Sequence, residues 1–122
     1  MRKRKIIQAA FDKWLKPLGL LWHDGRISYY TDKKSIKKVF DNKDVCAKCW
    51  ADWRYGTFTI AINLPAFKGM SREQIEGVVL HELCHVLVNE MREGEIHHEE
   101  RVVTGLTKAF EWVYKAGGGN LE

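Results

Sequence analysis

Three ionisable residues interrupt an otherwise apolar segment, "VVLHELCHVLVNE", at residues 78–90. His81 and His85 are four positions apart, so on an α-helix of about 100° per residue they share a face and can both reach one ion. Glu82 lies about 100° from His81 and about 60° from His85, where its carboxylate can contact a water on that ion. This H-E-x-x-H spacing predicts two metal ligands and one general base.

The helix around these residues is predicted to be buried, because apolar side chains surround it on nearly every face between residues 77 and 88. Burying one carboxylate and two imidazoles without partners costs on the order of several kcal/mol, and one divalent cation satisfies all three. We therefore expect His81 and His85 to bind Zn²⁺ as neutral imidazoles, each donating its other ring nitrogen to an acceptor. A lone histidine in a core, by contrast, is usually only hydrogen-bonded.

A catalytic zinc site needs a third protein ligand, since it takes three and keeps one position for water. The longer motif H-E-x-x-H-x-x-G-x-x-H is absent, because Val88 and Met91 occupy its glycine and last histidine positions. The segment "HHEERVVTGLTKAF" at 97–110 offers four consecutive candidates instead, two histidines followed by two glutamates.

Helix geometry favours Glu99 among these four. On a helix of about 100° per residue, Glu99 lies at the centre of an apolar stripe. The stripe consists of Val103, Leu106, Phe110 and Val113. A turn near residue 92 between two antiparallel helices also brings Glu99 level with His85. Glu99 is therefore the predicted third ligand, with Glu100 as the main alternative and His98 behind it.

Weaker patterns predict the elements that position these residues. Apolar spacing predicts helices at about 3–16, 33–40, 71–90 and 96–115, the third of which begins with a capping box of Ser71 and Gln74. Alternation predicts short strands on either side of an Asp24-Gly25 turn, and strands over about 45–55 and 58–62 that meet at Gly56.

This order indicates an α+β fold. A small, mostly antiparallel sheet is expected to pack on the H-E-x-x-H helix and on a second metal-ligand helix. We expect a single domain over residues 1–116 and a flexible tail over 117–122, after a turn at Gly94 that separates the two metal-ligand helices.

The chain of 122 residues carries a formal net charge of +4, and its basic residues cluster at 2–5 and 33–43. Such clusters could hold nucleic acid, but a net charge of this size favours a solvated basic face. No stretch is long enough to span a membrane. Asp12 and Lys13 interrupt the apolar part of a signal-like start, which favours a cytoplasmic location.

Three cysteines form an odd set, which argues against a disulfide scaffold. Cys46 and Cys49 make a C-x-x-C without a second such pair, and in a strand they would point to opposite faces. An ordinary strand is favoured over half a zinc site or a redox pair. Cys84 is expected to be a small core residue.

Residues 71–110 resemble the zincin metallopeptidases, specifically the gluzincin-like group with H-E-x-x-H on one helix and a glutamate on the next. The resemblance is strongest to small phage- or prophage-type members and more distant to ImmA/IrrE-type peptidases. It implies a minimal zincin-like fold, zinc, peptide-bond hydrolysis, and a substrate-binding role for part of 57–63 as an edge strand above the site. Tyr55, His97, His98 and Arg101 are the candidates for stabilising the oxyanion.

The expected function is zinc-dependent hydrolysis of peptide bonds in a specific protein substrate. Glu82 is expected to take a proton from a water activated by zinc at His81, His85 and Glu99, and to deliver it to the leaving amine. The alternative is a non-catalytic, zinc-stabilised module that binds protein or nucleic acid through its basic surface. The intact Glu82 favours the enzyme, because a purely structural zinc site needs no general base.

Overall fold

The computed structural model describes residues 2–52, 54–89 and 99–117. Its elements, in chain order, are α1 (Lys3–Leu15), β1 (Asp24–Tyr30), α2 (Lys33–Phe40), β2 (Ala47–Asp52), β3 (Thr57–Asn63), a single 3₁₀ turn (Leu64–Phe67), α3 (Arg72–Val88) and α4 (Glu99–Ala116). The predicted α+β class is confirmed. None of the helices in these ranges is long and apolar enough to cross a membrane.

Some predictions fall on parts of the chain that the structure does not describe. The expected turn at Gly94, the candidates His97 and His98, and residues 118–122 of the expected tail lie outside the described residues. Trp53, within the strand predicted over about 45–55, lies outside them as well.

The three strands form a mixed sheet in the order β1-β3-β2. β2 pairs with β3 in the antiparallel sense through the turn at Gly56, as predicted, whereas β1 pairs with β3 in parallel. The expected pair of strands around Asp24 and Gly25 is wrong, because both residues lie inside β1. The connection through α2 reverses the chain between β1 and β2, so that β1 and β3 run the same way.

Gly25 is required by close packing and not by a turn. It lies directly opposite Phe58 of β3, and a Cβ at this position would overlap the Phe58 ring, which is buried. Gly25→Ala should therefore lower the free energy of unfolding by about 1–3 kcal/mol, the usual effect of overpacking a core. Urea denaturation checks this.

The matched control for that substitution is Gly105→Ala in α4, where the added Cβ meets no other side chain and no backbone beyond its own helix turn within 4 Å in the described part of the chain. Since alanine is the better helix former, this change should raise the free energy of unfolding by about 0.5–1 kcal/mol. Equal stability of the two variants would contradict the packing assigned to Gly25.

The two faces of the sheet are covered by different helices. On one face, Phe58, Ile60 and Ile62 of β3 join the main core with α1 and α3. On the other, Ala61 packs under Ile36 and Phe40 of α2 in a smaller cluster. The metal-motif helix α3 and the basic helix α2 therefore lie on opposite sides of the sheet.

The edge strands of this sheet are β1 and β2. The substrate-binding role expected for part of 57–63 does not fit, because β3 is paired on both sides and presents no free backbone edge. β2 is the edge strand in contact with α3. Asn63 fixes the segment that leads into β2, since its Nδ2 donates hydrogen bonds to the carbonyls of Lys43 (3.0 Å) and Val45 (2.9 Å).

Candidate metal centre

Local sequence builds α3 in a way that presents its three ionisable residues. Ser71 caps the helix, accepting from the backbone N–H of Gln74 at 3.1 Å, while the Gln74 side chain accepts from the Ser71 N–H at 2.8 Å. Two turns further on, the rings of His81 and His85 lie with their centroids 5.1 Å apart. Glu82 and His85 are buried, at 8% and 9% exposed, as the predicted all-round apolar helix requires.

The facing helix α4 supplies two carboxylates to these rings. Glu100 spans both histidines, with its Oε1 3.0 Å from Nε2 of His81 and its Oε2 2.7 Å from Nε2 of His85. Glu99 approaches the other side of His85, with its Oε2 2.6 Å from Nδ1. His81, His85 and Glu100 each offer one ligand atom, and these atoms all lie within 4.8 Å of one another.

The hydrogen-bonding capacity of His85 indicates what this arrangement accommodates. Its two ring nitrogens each face a carboxylate oxygen, Glu99 at Nδ1 and Glu100 at Nε2. A neutral imidazole carries one N–H and can donate to only one of them. Both carboxylates have a partner if His85 is an imidazolium, which donates from each nitrogen, or if a cation lies between Nε2 and Glu100. With a cation at Nε2, Nδ1–H donates to Glu99, which is the usual arrangement of a metal-bound histidine.

The two glutamates lie at different positions around the histidines. Glu99 was predicted as the third ligand and Glu100 as its main alternative, and both assignments stay predictions; in the described residues, the group of ligand atoms that lie close together contains Glu100 with the two histidines. The buried stripe of α4 brings Glu100 nearer to the buried face than the sequence predicted. It consists of Val103 and Thr107, with Leu106, Phe110 and Tyr114 packed beside them.

Val113, which was counted in the predicted stripe, is 54% exposed. In the structure, Thr107 and Tyr114 belong to the packed face and Val113 does not. On a helix of about 100° per residue, the centre of that face therefore lies about 40° closer to Glu100 than the sequence predicted. Glu99 and Glu100 then lie on either side of that centre. Each carboxylate can reach a different nitrogen of the same imidazole.

Glu82 occupies a position suited to proton transfer. Burial raises its pKa, while the neighbouring His85 and His81 lower it and Glu100 raises it further, with a net increase above the usual value. A carboxyl group with a raised pKa is a better base at neutral pH than an ordinary carboxylate. Burial raises the pKa of the Cys46 thiol, which precedes β2, and the charge of Glu82 raises that pKa further.

The remaining sequence candidates have simpler positions. Tyr55 lies in the turn between β2 and β3 and is 77% exposed, and Arg101 lies on the exposed side of α4. Neither side chain has a hydrogen bond or ion pair to the two histidines among the described residues. Cys46 precedes β2, Cys49 lies within it, and neither forms a disulfide with another described cysteine. Cys84 is a fully buried core residue.

The sequence analysis expected an acceptor for the second ring nitrogen of each histidine but assigned no residue to it. For His85, a carboxylate oxygen of Glu99 lies 2.6 Å from Nδ1. Two adjacent acidic residues at the start of a helix, about 100° apart, were the available signal.

A comparison with known families bears on this geometry. The sequence model described as "Putative phage metallopeptidase" matches residues 4–111, a span that includes both histidines and all three glutamates of the site. No curated protein and no solved structure matches the chain. The distant similarity to ImmA/IrrE-type peptidases stays a prediction. Since the match covers most of the chain, the protein belongs to the phage metallopeptidase family.

Proposed function

We propose that the protein is a zinc peptidase in which His81, His85 and Glu100 hold the ion and Glu82 is the general base. The observation that carries this proposal is the convergence of three ligand atoms from α3 and α4 within 4.8 Å, with a buried carboxylate one residue after the first histidine. Two imidazole nitrogens and one carboxylate oxygen are a ligand set of catalytic zinc sites, which keep a fourth position for water.

Each residue of the site has a separate proposed role. A bound zinc ion supplies a Lewis acid that polarises a carbonyl and acidifies water. Glu82 accepts the proton of the attacking water and returns it to the leaving amine. Glu99 holds His85 in the tautomer that leaves Nε2 free for the ion. The His81 side chain, at 26% exposed, lies on the side from which substrate can approach.

The substrate is proposed to bind as an extended peptide along the edge of β2. An edge strand offers unpaired backbone N–H and C=O groups on one side, which is how many proteins bind extended peptides. β2 fits this role because it is an edge strand that contacts α3, the helix that carries His81 and His85. Asn63 holds the segment that precedes β2 through hydrogen bonds to the carbonyls of Lys43 and Val45.

The roles of the two neighbouring glutamates can be separated by single substitutions of equal charge. We expect Glu99→Ala to weaken zinc affinity about 10- to 100-fold, the usual effect of losing the partner that orients a ligand. Glu100→Ala should weaken it more, because it removes a ligand atom. Competition titration with a chromogenic chelator measures both affinities.

The glutamine variants sharpen this comparison. Glu99→Gln keeps an amide oxygen that can accept from Nδ1 of His85, so its zinc affinity should stay closer to the wild type than that of Glu99→Ala. Glu100→Gln replaces a charged ligand by a neutral one and should lose most of the affinity. A greater loss in the Glu99 variants than in the Glu100 variants would reverse the proposed roles.

A further inference from the structure

The exposed side of α2 carries a concentration of positive charge. Five lysines, all exposed, form what we call the lysine surface: Lys33, Lys34, Lys37, Lys38 and Lys43. Ile36 and Phe40 on the opposite side of the helix are buried against the sheet. The lysine surface lies across the sheet from the metal centre, so it is physically separate from the proposed catalytic site.

Ion pairs within the described residues do not account for these charges, since none of the five lysines forms one there. Lys33 and Lys37 are four positions apart, as are Lys34 and Lys38, and like charges at this spacing repel on a helix. Lys33 and Lys34 lie in the first turn, where the helix dipole disfavours cations, whereas Lys37 and Lys38 lie in the last turn, where it favours them.

A groove of about 760 Å³ runs beside this helix. It lies between α2 and the 3₁₀ turn, and Lys33, Lys37 and Lys43 contribute three positive charges to its walls. Asp41 and Asp44 contribute two negative ones. Lys34 and Lys38 extend the positive charge outside the groove, so the surface as a whole attracts an anionic polymer and not only a single anion.

An exposed tryptophan lies on the face of the sheet that α2 covers. Lys48 of β2 faces α2, since its Nζ donates to the carbonyl of Val39 at 3.2 Å. Trp50 is two residues further along β2, so its side chain is on the same face, about 7 Å away along the strand. Trp50 is 49% exposed. It pairs with Thr59 of β3, which pairs on its other side with Arg26 of β1.

We propose that the lysine surface and Trp50 together bind single-stranded nucleic acid. Lysine ammonium groups neutralise backbone phosphates without reading sequence, and an exposed aromatic ring on a sheet face stacks an unpaired base. The tryptophan selects single strands over duplexes, because the bases of a duplex are stacked on each other and do not present a free face. The site is independent of the metal centre and adds a binding activity to the proposed peptidase.

The experiment is a fluorescence-anisotropy titration of a labelled single-stranded oligothymidylate, and of a duplex of equal length, with the full zinc-loaded chain at several salt concentrations. Lys33→Gln/Lys37→Gln/Lys43→Gln should weaken single-strand binding about 10- to 100-fold near 0.1 M salt. It should reduce the salt slope by about 2, at roughly 0.7 per phosphate contact. Trp50→Ala should weaken single-strand binding about 5-fold or more and leave duplex binding unchanged.

The matched control is Lys16→Gln/Lys108→Gln/Lys115→Gln, which removes the same charge from the residue that follows α1 and from α4, on the other side of the sheet. It should retain single-strand binding within a few-fold, and Glu82→Gln should bind as the wild type does. Circular dichroism checks that every variant is folded. Equal losses in the two triple variants, tighter binding of the duplex, or equally effective competition by polyglutamate would each overturn the proposal.

Discussion

Glutamine in place of Glu82 is expected to lower peptide-bond cleavage by about 10²- to 10⁴-fold, the contribution of a general base, with zinc content unchanged. The side chain of Glu82 is 8% exposed and lies beside both histidines without being grouped with them as a ligand. The amide has nearly the same shape as the carboxyl group but cannot accept the proton of the attacking water. Mass spectrometry of new protein ends, produced from a denatured protein mixture, measures the loss without knowledge of the natural substrate.

The control for this substitution is Glu73→Gln, on the same helix but in its exposed first turn, where it forms an ion pair with Lys115 at 3.1 Å. That variant should cleave as the wild type does, since exposed ion pairs contribute little. Undiminished cleavage by Glu82→Gln would remove Glu82 as the base. If Glu82→Gln lost zinc as well as cleavage, Glu82 would instead be a metal ligand.

Removal of the metal is expected to destabilise the protein substantially. Three carboxylates, Glu82, Glu99 and Glu100, converge on only two imidazoles, so the site without a cation gathers more negative charge than its histidines can balance. A ligand that binds only the folded chain adds about 4 kcal/mol when its free concentration is a thousand times its Kd. In a chain of this size that corresponds to a rise in Tm of roughly 10–20 °C between chelated and zinc-saturated samples.

Calorimetry of the protein with chelator and with added zinc tests this expectation. His81→Ala/His85→Ala should show no rise in Tm with zinc, because both imidazole ligands are gone. His23→Ala removes a histidine at the start of β1, outside the site, and should keep the full rise. A double variant that still gains the wild-type increment would mean that zinc stabilises the chain from some other place.

Local patterns predicted α3 well because each of its features depends on neighbours in sequence. The capping box at Ser71, the buried all-round apolar surface and the shared face of His81 and His85 all follow from spacing within one helix. α2 and the β2–β3 turn at Gly56 followed from equally local signals. The buried Glu82 and His85 were therefore recognised as candidates before any tertiary contact was known.

Features that depend on packing between distant segments were harder to predict. Gly25 next to an aspartate is a common turn signal, but contact with Phe58, thirty-three positions later, places it inside a strand. Which of Glu99 and Glu100 faces the histidines depends on the rotation of α4 about its axis against α3. Thr107 and Tyr114 pack toward the core and Val113 does not, and this packing could not be read from the sequence. A sequence stripe fixes a helix face only to within about one residue, or about 100°.

The most direct test of the central claim is an X-ray absorption spectrum of the zinc-loaded protein at the zinc edge. Ligation by His81, His85 and Glu100 predicts a first shell of nitrogen and oxygen at about 2.0–2.2 Å, with the outer-shell scattering of two imidazoles. A sulfur shell at about 2.3 Å, as thiolates of Cys46 and Cys49 would give, or the absence of imidazole scattering, would contradict the account.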